Sequence, residues 1–164
     1  MATVNNCNLP DDLYYLVEKH VWARREGDDT VVVGLTDVAQ NMAKTIISVG
    51  LKDVGRTVKK ARSLATVESG KWVGPFPSPL SGTVLSANPK VMADPNVINR
   101  DPYGQGWLVQ LRPSDATWRE ASGLLCGSDA VSAYRTKLAA EGLTCLRCAD
   151  SNGEIGPPET EKTI

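Results

Sequence analysis

The chain has 164 residues, a formal net charge of -1 and 41% hydrophobic residues, enough for one domain with a sizeable core. The near-neutral balance excludes a general polyanion binder, and no apolar run approaches a membrane span. The opening Met1-Ala2-Thr3-Val4-Asn5-Asn6 has no basic region followed by an apolar core, so no secretory signal is read and the cytoplasm is the expected compartment. Four cysteines, Cys7, Cys126, Cys145 and Cys148, are too few and too scattered for a disulfide framework.

In chain order, residues 1–12 read as a flexible leader. Leu13 to Arg25 reads as one or two strands, from the bulk of Tyr14, Tyr15, Val17, Val21 and Trp22. Gly27-Asp28-Asp29 turns the chain into the strand Thr30–Leu35. Thr36 or Asp37 caps a short helix, Val38 to Met42. Thr45 to Val49 is β-branched and strand-like. Thr57-Val58 and Leu64 to Val67 lead to a Ser-Gly turn, and Trp72-Val73 leads out of it, which is a hairpin signal. Ser81 to Ala87 and Trp107 to Leu111 read as strands. Asn88-Pro89 and Asp94-Pro95 bound a loop or short helical piece. Residues 114–141 turn helical, with Ser128-Asp129 capping Ala130 to Glu141. The unit spans residues 13–149, and 150–164 reads as a disordered tail. Gly55-Arg56-Thr57-Val58 before the hairpin echoes Ser81-Gly82-Thr83-Val84 after it, which suggests two related half-motifs. Many short strands with Gly and Pro punctuation suggest a small sandwich or barrel.

Chemistry is sparse. A single imidazole, His20, and no Gly-x-Ser-x-Gly leave no nucleophilic relay. Cys145-Leu146-Arg147-Cys148 has C-x-x-C spacing but no second pair, so no zinc site is read. It is either a redox dithiol or two incidental cysteines. Gly104-Gln105-Gly106 lacks the third glycine and the flanking strand and helix of a dinucleotide site. Four Trp and four Tyr are not interleaved with a basic patch, so nucleic-acid binding is not expected. What stands out is Lys71, at or just after the hairpin tip. Gly70 and Gly74 are expected to leave space around its stem. A lone displayed lysine suits a carrier whose cofactor is worked on by other enzymes.

Several stretches resemble the lipoyl-carrying H protein of the glycine cleavage system, over about residues 13–141. They are His20-Val21-Trp22 with the turn at Gly27, Val33-Gly34-Leu35-Thr36-Asp37-Val38-Ala39-Gln40, Val67-Glu68-Ser69-Gly70-Lys71, Pro79-Leu80-Ser81-Gly82-Thr83-Val84, and Asn99 to Trp107. The resemblance implies a mostly β, lipoyl/biotinyl-type fold. It is a flattened sandwich of two small antiparallel sheets (a barrel-sandwich hybrid), with a short helix after the early strands and helices at the C-terminal end. It implies lipoic acid in amide linkage on Lys71, with Glu68, Ser69 and Gly70 as the motif read by a lipoate-attaching enzyme. It implies a non-catalytic swinging-arm carrier. A strained dithiolane is readily opened by an attacking thiolate, and a long linker raises effective concentration at successive sites.

The departures carry information. The family's carboxylate between His and Trp, which helps hold a cationic aminomethyl group, is Val21 here, and valine accepts no hydrogen bond. Gly70 and Trp72-Val73-Gly74-Pro75 differ from the usual flanks of the lysine and are similar to H-protein-related lipoate-binding proteins of sulfur oxidation. That likeness implies a heterodisulfide-reductase-like complex as partner. The alternative keeps glycine decarboxylase, aminomethyltransferase and dihydrolipoyl dehydrogenase as partners. A further alternative is an unmodified regulatory or scaffold protein with the lipoyl fold. Cys145 and Cys148 are carried as accessory thiols that exchange with the arm, against the reading that both are inert.

Overall fold

The computed structural model describes residues 1–70, 72–121 and 123–145. The strands before the hairpin are β1 (Ala2–Val4), β2 (Cys7–Leu9), β3 (Tyr14–Leu16), β4 (Val21–Arg25), β5 (Val31–Leu35), β6 (Ile46–Leu51), β7 (Thr57–Val58) and β8 (Ser63–Ser69). After it come β9 (Val73–Pro77), β10 (Gly82–Ala87), β11 (Val109–Pro113) and β12 (Leu125–Cys126). The helices are α1 (Asp37–Ala43), α2 (Pro89–Ala93), α3 (Val97–Arg100), α4 (Trp118–Ala121) and α5 (Gly127–Glu141), with a 3-10 turn at Val17–Lys19.

Strand order is β12-β3-β4-β5-β11-β10-β7 in the large sheet and β6-β8-β9 in a smaller one, with β1-β2 as a separate ribbon. Every pairing is antiparallel among the described residues. The lipoyl-type sandwich is therefore present, with sheets of unequal size. The unbroken apolar run Val31-Val32-Val33 follows from a sheet covered on both faces. Val31, Val33, Leu35, Val21 and Ala23 enter a core shared with Leu64, Val67 and Phe76 of the small sheet. Their neighbours Val32 and Trp22 face the other way, into a second core closed by Ala130, Tyr134 and Leu138 of α5. The period of two along β4 and β5 thus divides their side chains between two cores.

The echo in the sequence has a structural basis. β7 pairs with β10 through Thr57↔Thr83 and Val58↔Gly82, and Gly55 N–H donates to Val84 O while Val84 N–H donates to Arg56 O. The two similar turns meet face to face.

Three expectations need correction. Residues 1–12 are not a flexible leader: Val4↔Cys7 closes a hairpin whose two-residue loop, Asn5-Asn6, has φ of 49° and 66°. Asparagine tolerates that left-handed geometry, which matches strand twist in tight hairpins. Val4, Cys7 and Leu9 are buried in the second core, so the ribbon belongs to the packed unit. The last helix begins at Gly127 with Cys126 as N-cap, ahead of the expected Ser128-Asp129 cap. The strand expected at Trp107 begins at Val109; Trp107 O is taken by the Asn88 side chain, while Leu108 still bonds toward β5 and β10 through Val33 O and Asn88 N–H. The expected tail, 150–164, lies outside the described residues.

Candidate functional site: the lysine hairpin and its groove

β8 and β9 run in register through Glu68↔Val73. Above that pair Ser69 N–H donates to Trp72 O at 2.7 Å, and Ser69 Oγ donates to the same carbonyl at 3.3 Å. Ser69 is buried, so both its groups are committed to closing the turn around positions 70 and 71. Lys71 itself lies outside the described residues. A Cβ on Gly70 would meet nothing within 4 Å, so the flank of the turn is open there. Glu68 is exposed beside it. The expectation for Gly74 is overturned: its vacant side is filled by the Trp72 indole, whose Cζ2 would clash with a Cβ placed there.

Trp72 is half-exposed and forms one wall of a groove of about 810 Å³. Pro75 and Pro77 of β9 line it as well, together with Leu16, Leu35, Ala39 and Met42 from other elements. The β9 prolines also remove edge donors that would invite another strand. The floor is apolar, and Glu18, Lys19 and Lys60 bring charge to the lining. Val21 is fully buried in the first core and contributes nothing to this groove; the carboxylate that does line it belongs to Glu18.

His20 lines the groove and is buried, in a left-handed conformation at the end of the 3-10 turn. Its Nδ1 is 3.2 Å from the Tyr134 hydroxyl, and the two rings stack. Burial, helped by the positive charge of Lys137 and opposed by Glu141, pushes the imidazole down to a pKa of about 4. It is neutral at pH 7, which suits the structural hydrogen bond.

α1 lines the groove through Ala39, Met42 and Ala43 and is held at both ends. Thr36 Oγ1 caps it by accepting from Ala39 N–H at 3.1 Å. Tyr103 OH accepts from Asp37 N–H at 2.9 Å and donates to Asn8 O at 2.6 Å. At the far end Asn99 donates to Lys44 O at 2.7 Å and accepts from Ile46 N–H at 2.9 Å. Asn99 and Tyr103 appear in the sequence reading only as letters of a motif. Their role as anchors of α1 depends on contacts more than 50 residues away in the chain.

The cysteine expectation is corrected. Cys145 is disulfide-bonded to Cys7 across 138 residues, and both are essentially unexposed. It is not a free accessory thiol in this structure. Cys148 lies outside the described residues. Cys126 is free and exposed.

A family model described as glycine cleavage H-protein matches residues 13–137. The chain is 44% identical over 149 residues to a probable glycine cleavage system H protein 2 of Saccharolobus solfataricus, covering 90% of this chain and 99% of that relative. It is 42% identical over 144 residues to glycine cleavage system H protein 3 of Aquifex aeolicus, covering 87% and 89%. Among solved structures, a glycine cleavage system H protein from Mycobacterium marinum superposes with a TM-score of 0.68 at 33% identity, over 77% of this chain and 98% of that one. Members of the family are non-catalytic carriers with lipoic acid covalently attached to a lysine. With most of its length inside the family's range, this chain belongs to the glycine cleavage H-protein family.

Proposed function

We propose that Lys71 is the lipoyl attachment site and that the chain passes a small fragment between partner enzymes as an aminomethyl carrier of glycine cleavage. The observation that carries the site is the hairpin closed by Ser69 and Trp72 beside an apolar groove, at the Glu68-Ser69-Gly70-Lys71 motif. The donor set suits the group: an open turn flank for an attaching enzyme, and an apolar lining for an alkyl chain. Once attached, lipoate supplies a disulfide that opens to a dithiol and closes again. The chain's own residues do the rest. Ser69 fixes the turn, Glu68 marks it for the attaching enzyme, and Glu18, beside Lys19 and Lys60, offers a carboxylate in the groove lining to a cationic cargo. The names of the relatives favour glycine cleavage; on this reading the partners are glycine decarboxylase, aminomethyltransferase and dihydrolipoyl dehydrogenase, and the compartment is the cytoplasm.

One observation favours a second reading, a sulfur-carrying arm served by a heterodisulfide-reductase-like complex. Val21 is buried where the resemblance calls for a cation-holding carboxylate, and an uncharged or anionic sulfur cargo needs none. Intact-mass measurement on native protein and on Lys71→Ala tests the site: the lipoyl mass should be present in the first and absent in the second. Release of CO2 from labelled glycine with purified glycine decarboxylase then tests the cargo. A fully lipoylated chain that supports no release favours the second reading.

A further inference from the structure

Residues 2–9 and 143–145, both outside the segment matched to the family, residues 13–137, fold onto each other. The Asn5-Asn6 loop grips residues 143–145. Asn5 Nδ2 donates to Leu143 O at 3.0 Å, Asn6 Nδ2 donates to Cys145 O at 3.0 Å, and Cys145 N–H donates to Asn5 O at 3.0 Å. The Cys7–Cys145 bond closes this terminal strap. The strap and the β1-β2 ribbon lie against the rear of α1. Asn8 N–H donates to Asp37 Oδ2 at 2.7 Å, Asn41 Nδ2 donates to Thr144 O at 3.3 Å, and Cys145 Sγ lies 3.8 Å from Asp37 O. On its other side α1 presents Ala39, Met42 and Ala43 to the groove. A seven-residue helix is too short to persist by its own propensity. Its order is supplied by what packs on it.

We propose that the Cys7–Cys145 disulfide is a redox lock on the groove wall: oxidised, it holds the terminal strap against α1; reduced, it releases the strap and loosens α1. The step is a thiol–disulfide exchange with an external dithiol. The dithiol gives up two electrons and two protons and closes its own disulfide, and Cys7 and Cys145 receive them as two thiols. Both sulfurs are out of solvent, so reduction proceeds through opening of the strap. The lock therefore responds to a reductant only as fast as the terminal layer lifts. The inference stands whether or not Lys71 is the lipoyl site.

The test uses the full chain, purified without reductant. Differential alkylation with peptide mass spectrometry should find Cys7 and Cys145 protected and cross-linked, with Cys126 alkylated. Hydrogen exchange is then compared before and after dithiothreitol, and in the Cys7→Ser/Cys145→Ser variant. Exchange in peptides covering 2–9 and 37–43 should accelerate about tenfold or more, while the peptide covering 63–69 changes less than about twofold. Three outcomes overturn the proposal: both cysteines alkylated in air-purified protein, unchanged exchange in α1 after complete reduction, or equal acceleration in 63–69. The last would make the bond a staple of the whole fold. If the double variant does not fold, the reduced wild-type chain decides.

Discussion

Two glycines face indoles, and alanine at each should have opposite consequences. A Cβ on Gly34 would stand 2.7 Å from Trp22 Cζ2, and one on Gly74 would clash with Trp72 Cζ2 more closely still. Ordinary contact begins at 3.4 Å, so the indole must withdraw about 0.7 Å in the first case and at least as far in the second. Trp22 has nowhere to go. It is fully buried, pairs directly with Gly34 across β4 and β5, and donates from Nε1 to Pro102 O at 3.0 Å. Overpacking costs about 1–3 kcal/mol, and a strained or broken indole hydrogen bond adds about 1–3 kcal/mol. Removing glycine from a strand returns about 0.5–1 kcal/mol. Gly34→Ala should therefore lose about 1–5 kcal/mol, centred on about 3 kcal/mol. Trp72 is 47% exposed and can swing into water, so Gly74→Ala should stay within about 1 kcal/mol of wild type while displacing the groove wall. Urea denaturation at constant m reads both. A Gly34→Ala loss below about 1 kcal/mol, or a Gly74→Ala loss as large as that of Gly34→Ala, would refute the claim that burial of the facing ring decides the outcome.

The His20 imidazole titrates near 4 in the native state against 6.5 when unperturbed, so the unfolded chain binds the proton first as pH falls. Its contribution is full above pH 6.5 and is lost between 6.5 and 4, by about 3 kcal/mol at most; urea midpoints across that window should show the slope, and His20→Gln should flatten it. Ser69→Ala should cost about 0.5–1.5 kcal/mol and slow lipoate attachment, read by intact mass over time, because one of the two ties closing the turn is removed. Glu18→Gln should weaken CO2 release from glycine several-fold if the groove carries a cationic aminomethyl group, without altering lipoylation; unchanged release would remove Glu18 from cargo binding. Reduction of Cys7–Cys145 should lower thermal stability, with an upper bound of about 5 kcal/mol for a loop of this length, read by the melting temperature with and without dithiothreitol.

The central sandwich was legible because its strands obey local rules. Val31-Val32-Val33 announces a strand buried on both faces, and Thr36 announces a cap, which Ala39 N–H confirms. The hairpin was legible from Ser69-Gly70 between β-favouring runs. The terminal layer was missed although its turn signal was present: Asn5-Asn6 lies between two three-residue runs that alternate apolar and polar, Ala2-Thr3-Val4 and Cys7-Asn8-Leu9. Strands of three residues carry too little periodicity to be read alone. Their pairing is stabilised by α5 and the strap, more than 120 residues later in the chain. The same distance hid the disulfide. Spacing suggested Cys145 with Cys148, whereas the fold brings Cys7 within a Cα–Cα distance of 5.0 Å. Trp72 over Gly74 was hidden for another reason. The sequence shows a glycine and therefore suggests empty space, but a side chain two residues away takes that space.

Acid and reduction act on one layer from opposite sides. Protonating His20 places a charge against Tyr134, the residue of α5 that its Nδ1 meets. Reducing the disulfide frees the segment that follows α5 through Leu143 to Cys145. Both perturbations therefore weaken the packing of α5 on the large sheet, where Tyr134 and Leu138 share a core with Cys7 and Cys145. Groups that share one core do not contribute independently. Once the strap has lifted and α5 has loosened, His20 gains access to water and its pKa moves back toward 6.5. The pH dependence of the reduced chain is then expected to be shallower between pH 4 and 6.5 than that of the oxidised chain. The difference between the two slopes measures how tightly the terminal layer is coupled to the groove that His20 lines.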